Sequence, residues 1–380
     1  MNIDFADELN DREDSSTLRL SCFAHTLQLC VRDGLKNAPY VSKSLDKCQA
    51  LAKFSHKSSK MADVMEDMNK HINRMNVTRW NSELLLLKSI ASIGKNDLNL
   101  INSLSDNPTR FSNKDFTILQ EIIDVLDPFH EITVRCQAET AVTASLVVPS
   151  VVHLMVHLRD ILGNVNFCSK LVQQLELSLK KRFSGVINRL NLVDVDPNEG
   201  YGDPLYFVAT VLDPAFKFYW MHDLKISVTT ENRLKQNIIQ IIIDEINKNE
   251  TSPTNSSPRS NSSTSSSSTS TPVVKRRKLF VYDENAFDSS QELKSMDPAI
   301  EVEAYLNDPV RTKFSDYWSH SQLQSLKHLV QRIFTVQASS APIERVFSQA
   351  GLISSPRRMR MSESAFRDLV FLRVNQNLLP

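Results

Sequence analysis

A mainly α fold with a small α/β part is what this chain predicts, and three observations predict it. Only seven glycines occur in 380 residues, whereas tight turns between strands draw on Gly for backbone angles that other residues avoid. Apolar residues recur at helical spacing through several long stretches rich in Leu, Ile and Lys. One short stretch, Thr17 to Cys22, alternates instead, with Leu18, Leu20 and Cys22 on one face, which is the period of a half-buried strand.

Taken in order, residues 1–16 are acidic and polar and read as a mobile leader. The strand at 17–22 feeds a helix in which Ala24, Leu27, Val31 and Leu35 recur, so Cys22 and His25 fall at the junction. Thr78, Arg79, Trp80, Asn81 and Ser82 open another helix. Further stripes follow at Ile118, Ile122, Val125, Leu126 and Phe129, at Leu171, Leu175, Leu177 and Leu179, and at Leu234, Ile238, Ile239, Ile242 and Ile246. No repeat of fixed length makes this helical array a solenoid.

Thr251 to Pro272 holds eleven Ser and five Thr, too little apolar surface to offset the entropy of ordering, and reads as a linker or disordered loop. Lys275, Arg276, Arg277 and Lys278 follow directly, either a solvated charge run or a nuclear-import signal. Order resumes near Ala299, with helix expected from Tyr305 through Trp318 to Ile333. Ser362 is placed to cap a last helix carrying Phe366, Leu369, Val370 and Leu372, which must dock on the body or on another subunit.

The totals exclude some classes. Forty-four basic residues balance forty-four acidic ones, so only local clusters can attract a polyanion. An apolar content of 41% suffices for a substantial core. Five cysteines, an odd number, fit reduced thiols in an intracellular protein better than a disulfide framework. The N-terminus has neither a basic start nor an apolar core, and no apolar run approaches the length of a bilayer span, so neither secretion nor a membrane is expected.

Cys22 and His25 have the spacing of half a zinc site, but no second Cys/His pair is suitably placed. Arg79 beside Trp80 suits a phosphate and an unpaired base, while Trp80 considered alone reads as a core anchor before a base contact. Asp213 precedes a proline, a turn arrangement. Arg357, Arg358 and Arg360 are compact enough to contact phosphates, or form a solvated loop. Glu344 cannot by itself hold two divalent ions, and it also reads as a helix-start carboxylate paired with Arg345 or favoured by the helix dipole. Gly-rich phosphate loops, Gly-x-Ser-x-Gly turns and His-Glu-x-x-His helices are absent, which removes local support for kinase, hydrolase and zincin readings.

Four blocks occur in a fixed order: Cys22-Phe-Ala-His-Thr-Leu-Gln-Leu29, Thr78-Arg-Trp-Asn-Ser82, Leu212-Asp-Pro-Ala-Phe-Lys217, and the segment from Ser339 to Asn377. The last contains Ser339-Ser-Ala-Pro-Ile-Glu-Arg-Val-Phe-Ser348 and Phe366-Arg-Asp-Leu-Val-Phe-Leu-Arg-Val-Asn375. Together they resemble successive landmarks of the hAT family of DNA transposases and the host proteins derived from them, including BED zinc-finger relatives, although no BED finger is present here. The resemblance implies an RNase H-like core interrupted by a large helical insertion. On that basis 17–40 is a core remnant, 41–248 and 291–335 are the insertion, 249–290 is the linker with its basic cluster, and 336–380 is the C-terminal dimerisation region.

By the same resemblance, Glu344 takes the place of the third catalytic acid, His25 that of a histidine near the active site, and Trp80 that of the tryptophan associated with DNA hairpins. Arg79, Arg357, Arg358 and Arg360 join Trp80 as expected DNA contacts. Val346, Phe347, Phe366, Leu369, Val370 and Leu372 are the expected dimer contacts. The first two catalytic Asp residues have no counterpart, since Asp4, Asp7, Asp11 and Asp14 lack the family's context. The expectation is a truncated, nuclear, transposase-derived protein that self-associates, keeps residual DNA contact and is no enzyme. It takes no small-molecule substrate and no cofactor, with Mg or Mn relevant only if the missing Asp residues are supplied. The alternative is one piece of an active transposase, completed from outside this chain.

Overall fold

The protein was analysed as a computed structural model that describes residues 20–75, 80–104, 108–139, 141–196, 199–250, 296–354 and 361–376. Among these residues the regular structure is entirely helical. In chain order the helices are α1 (Phe23–Lys36), α2 (Pro39–Ser55), α3 (Ser59–Asp67), α4 (Trp80–Ala91), α5 (Lys95–Asn102), α6 (Asn113–Cys136), α7 (Val147–Ile161) and α8 (Ser169–Arg182). There follow α9 (Ser184–Leu190), α10 (Leu205–Leu212), α11 (Val228–Glu250), α12 (Pro298–Asn307), α13 (Phe314–His320), α14 (Gln324–Ile333), α15 (Ala341–Ile353) and α16 (Glu363–Val374). The acidic leader 1–16, Arg79, Lys275 to Lys278 and Arg357, Arg358 and Arg360 lie outside the described residues.

The strand expected at Thr17–Cys22 is not formed in its described part, Leu20 to Cys22. A ladder needs a neighbouring strand to exchange N–H and C=O groups with, and among the described residues none stands beside this segment. Instead the Phe23 N–H donates to the Ala338 carbonyl at 2.7 Å and α1 begins at once. The small α/β part and the sheet of an RNase H-like core therefore do not appear among the described residues. The helix expected from Tyr305 to Ile333 is also corrected, being three helices, α12 to α14. Asp308, extended at ψ 118°, stops α12 because it precedes Pro309, whose ring crowds the helical conformation of the residue before it.

One hydrophobic core runs from Phe23 to Ala338. α1 packs on α8, α6 and α2, while α7 lies across α6, α8 and α10. The contact of α1 with α8 is close enough that a Cβ on Gly34 would stand 2.6 Å from Leu175 Cδ2. Ile118, Ile122, Val125, Leu126 and Phe129 line the buried side of α6, and Leu234, Ile238, Ile242 and Ile246 that of α11. On α8, Leu171, Leu175 and Leu179 are buried but Leu177 is exposed, because two residues past Leu175 a helix has turned through about 200°. Contrary to expectation, Ala144–Ile161 is long and apolar enough, by length and composition, to cross a membrane. In this fold it packs in the core, with Val147, Val148, Val151, Val152, Leu154 and Leu158 fully buried.

Buried charged groups fix the loops between these helices. Glu121 of α6 accepts the N–H groups of Asn166, Phe167 and Cys168, each at 2.9 Å, and so holds the loop that leads into α8 up to its N-cap. Glu301 accepts from Ser325 and Leu326 at the start of α14 in the same way. Asp213 behaves as a turn residue: its carboxylate accepts the Ala215 N–H at 3.0 Å and the Ser145 hydroxyl at 2.7 Å. Lys217, buried, donates to the carbonyls of Tyr305, in the last turn of α12, and of Asp308, its C-cap. Pro128 lies within α6, and one turn before it the Val125 carbonyl meets His157 Nε2 at 3.2 Å.

Burial alone would raise the Glu121 carboxyl, but its three backbone donors hold it below the ordinary carboxylate range. A folded-state value below the unfolded one means that this group's contribution is complete above the unfolded pKa of about 4.3 and is lost as pH falls through the folded value. Glu121→Gln is expected to lower the unfolding free energy by about 2 kcal/mol at neutral pH. The gap to the parent should close in strongly acidic buffer, as read by urea denaturation at the two pH values.

Candidate functional site

The start of α15 is tied to the start of α1 by a short set of bonds. Thr143 Oγ1 accepts the Ala338 N–H at 2.9 Å, and the Ala338 carbonyl accepts from Phe23. Ser340 N–H donates to Cys22 Sγ at 3.4 Å, and the Cys22 thiol reaches Ser339 Oγ at 3.7 Å. On the far side of Cys22, Thr26 Oγ1 donates to its carbonyl and receives the Tyr201 hydroxyl. These bonds place the first turn of α15 over the first turn of α1.

Between α1, α4, α6 and α15 lies a cleft of about 560 Å³, lined by Cys22, His25, Gln28, Trp80, Asn81, His130, Glu344 and Arg345 among others. His25, Trp80 and Glu344, more than three hundred residues apart at the extremes, thus share one wall space. His25 is exposed. Trp80 is 3% exposed, packed edge-on against His130 at 6.2 Å between ring centres, so its face is not open to a base. That supports its reading as a core anchor and corrects the stacking one.

Glu344 is not paired with Arg345. Its carboxylate accepts the Ser340 hydroxyl at 2.7 Å, while Arg345 forms an ion pair with Glu139 and donates to the Gln137 carbonyl at 2.7 Å. Successive residues on a helix point about 100° apart, and Arg345 faces the end of α6. Glu344 sits in the first turn, where the helix dipole favours it. Among the described residues no three His, Cys, Asp or Glu groups come close enough to hold a metal ion, and Glu344 is the one carboxylate on the cleft wall. These residues do not fit a two-metal centre, which draws on several converging carboxylates.

Three polar atoms on this wall are buried without a partner: Trp80 Nε1, Asn81 Oδ1 and His130 Nδ1. His130 is held below its ordinary value by burial first and by the neighbouring Lys88 second. Gln28 and Asn81 lie inside two of the quoted blocks without an assigned role, and His130 lies in none, because nothing local marks a polar helix residue as facing a cleft.

The α15–α16 hairpin forms a second candidate surface. α16 packs chiefly on α15, buries no residue fully, and is pinned by Arg373 Nε donating to Gln349 Oε1. Val346, Phe366 and Val370 are half-buried, whereas Phe347 (71%), Leu369 and Leu372 are exposed. Ile343, Leu352, Phe371 and Val374 add to the exposed apolar set and were not anticipated. For Ile343 the available signal was its position four residues before Phe347, and for Val374 its position four residues after Val370.

Residues 301–376, spanning α12 to α16, match the hAT family C-terminal dimerisation region. The chain is also 22% identical over 395 aligned positions to the human zinc finger BED domain-containing protein 4, with all of this chain and 31% of that protein aligned. It thus spans about a third of that relative's length. The family match and this similarity together support an hAT-derived protein, and the dimerisation region supports self-association.

The different burial of the two cleft residues has a direct consequence for stability. Trp80→Ala should lower the unfolding free energy by about 3–5 kcal/mol. His25→Ala should change it by less than about 0.5 kcal/mol. Urea denaturation of both variants is the check.

Proposed function

We propose that this is a transposase-derived protein that works by self-association through the α15–α16 hairpin, keeps some DNA contact and performs no strand transfer. The observation that carries the reading is the apolar exposure of the hairpin. Phe347, Leu352, Phe371 and Leu372 are all exposed on two helices that have little but each other to pack against. Apolar area of this kind gains about 25 cal/mol per Å² when a partner covers it, and contiguous patches mark interaction sites.

The DNA contact is assigned to Arg79, Arg357, Arg358 and Arg360 by sequence, with His25 at the open side of the cleft. Base stacking on Trp80 is not part of it, since the ring is buried. Nuclear localisation is assigned to Lys275 to Lys278. The absence of strand transfer is supported by Glu344 being the one carboxylate on the described cleft wall. An RNase H-like core, as the resemblance implies, would need strands from outside the described residues, and Mg or Mn would bind only with Asp residues supplied from elsewhere.

One observation favours a second reading, that the chain is part of an active transposase: His25, Trp80 and Glu344 are gathered in one cleft. The two readings separate on Glu344→Gln. Metal-dependent DNA cleavage that is lost in this variant would support the second reading, and no cleavage by the parent chain under any divalent metal supports the first.

For self-association, sedimentation at micromolar concentration should show a dimer or higher species. Phe347→Ala with Leu372→Ala should weaken it about a hundredfold, taking each anchor as worth about 1–2 kcal/mol. A parent chain that sediments as a monomer at this concentration removes the proposal.

A further inference from the structure

Away from the cleft, the starts of α2, α6 and α8 bring aromatic rings and ammonium groups together on the surface. Tyr40, in the first turn of α2, is 63% exposed, and Phe167, in the loop before α8, is 37% exposed. Lys114, in the first turn of α6, holds its Nζ 5.7 Å from the centre of the Tyr40 ring and 4.9 Å from that of Phe167. One ammonium within reach of both rings sets their centres at most about 11 Å apart, a span of a few nucleotides at about 3.4 Å each. Phe167 is presented by a fixed loop, because Glu121 accepts its N–H and those of both neighbours.

The charge around the rings is mostly of one sign. Lys43 lies one turn along α2 from Tyr40, and Lys170 lies three residues past Phe167 in α8. Among the described residues, Lys43, Lys114 and Lys170 have no carboxylate within ion-pair distance. The acids beside them are largely taken, since Asp115 pairs with Lys47 at 2.8 Å and Glu121 is occupied by its three backbone donors. Asp46, exposed on α2, is left. A chain of zero net charge thus carries a locally cationic surface with two open rings in it.

We propose that this surface binds single-stranded DNA, with bases stacked on Tyr40 and Phe167 and phosphates held by Lys43, Lys114 and Lys170. A duplex keeps its bases paired and offers a surface of this kind only phosphates, whereas unpaired bases lie flat on exposed rings whatever their sequence. The ammonium of Lys114, now against the two rings, is placed to follow the backbone between the stacked bases. The inference rests on the DNA contact of the proposed function, and it adds a surface separate in sequence from Arg79, Arg357, Arg358 and Arg360. Self-association through α15–α16 is not required.

The test follows the fluorescence anisotropy of labelled oligothymidine and of a labelled duplex with the full chain over a salt series. Oligothymidine should bind more tightly than the duplex. Tyr40→Ala with Phe167→Ala should weaken strand binding at least about tenfold, whereas Tyr40→Phe with Phe167→Tyr, which keeps both rings, should stay within about threefold of the parent. Lys43→Gln, Lys114→Gln and Lys170→Gln together should reduce the slope of log K against log salt by about 2, at about 0.7 for each phosphate contact on a single strand. Strand binding that survives the alanine pair, falls equally in the ring-keeping pair or keeps its salt slope overturns the proposal. Tighter binding of oligouridine, or binding of phosphatidylserine vesicles or polyglutamate in place of oligothymidine, overturns it as well. A duplex that binds where oligothymidine does not removes this surface and leaves the DNA contact standing, and no binding of either form removes both.

Discussion

The backbone bond from Phe23 N–H to the Ala338 carbonyl is the constraint on which the functional geometry rests. It joins the first helix of the described chain to the segment that launches α15, and the Cys22–Ser339–Ser340 contacts reinforce it. Without that closure His25 and Glu344 would have no reason to share a cleft, since α1 is otherwise held by α8, α6 and α2 and α15 mainly by α16. Arg345 adds a second tether to the end of α6. Everything attributed to the cleft follows from two segments more than three hundred residues apart meeting at a helix N-terminus.

Buried carboxylates are used as structural parts in this protein. Glu301 takes up open N–H groups at the start of α14, Glu121 those of the loop leading into α8, and Asp213 closes a turn. A carboxylate removed from water needs compensating donors, and helix N-termini supply them in a fixed orientation. Glu344 differs: it is exposed, bonds only within its own first turn to Ser340, and leaves the α15 start free to cover Cys22.

The α15–α16 hairpin has apolar residues on more than one face. Two helices can bury only one face of each against the other, so Val346, Phe366 and Val370 turn inward while Phe347, Leu369 and Leu372 remain outside. This is the arrangement a family dimerisation region needs, because the residues that stabilise the hairpin are not those left for a second chain.

The sequence by itself determined the helical class, the buried stripes of α6 and α11, the cap at Ser362 and the likeness of the C-terminal segment to hAT proteins. Each rests on spacing or capping within a turn or two, where neighbours in sequence are neighbours in space. The alternation at Thr17–Cys22 makes no strand in its described part, Leu20 to Cys22, because alternation makes a strand only where another strand is present to pair with it. Only the tertiary structure decided that Trp80 is buried with its N–H unpaired, that Arg345 pairs with Glu139 and not Glu344, and that the single accessible thiol faces a cleft. Those facts depend on segments two to three hundred residues apart, and partner choice at that range is set by how the helices pack, which no local pattern encodes.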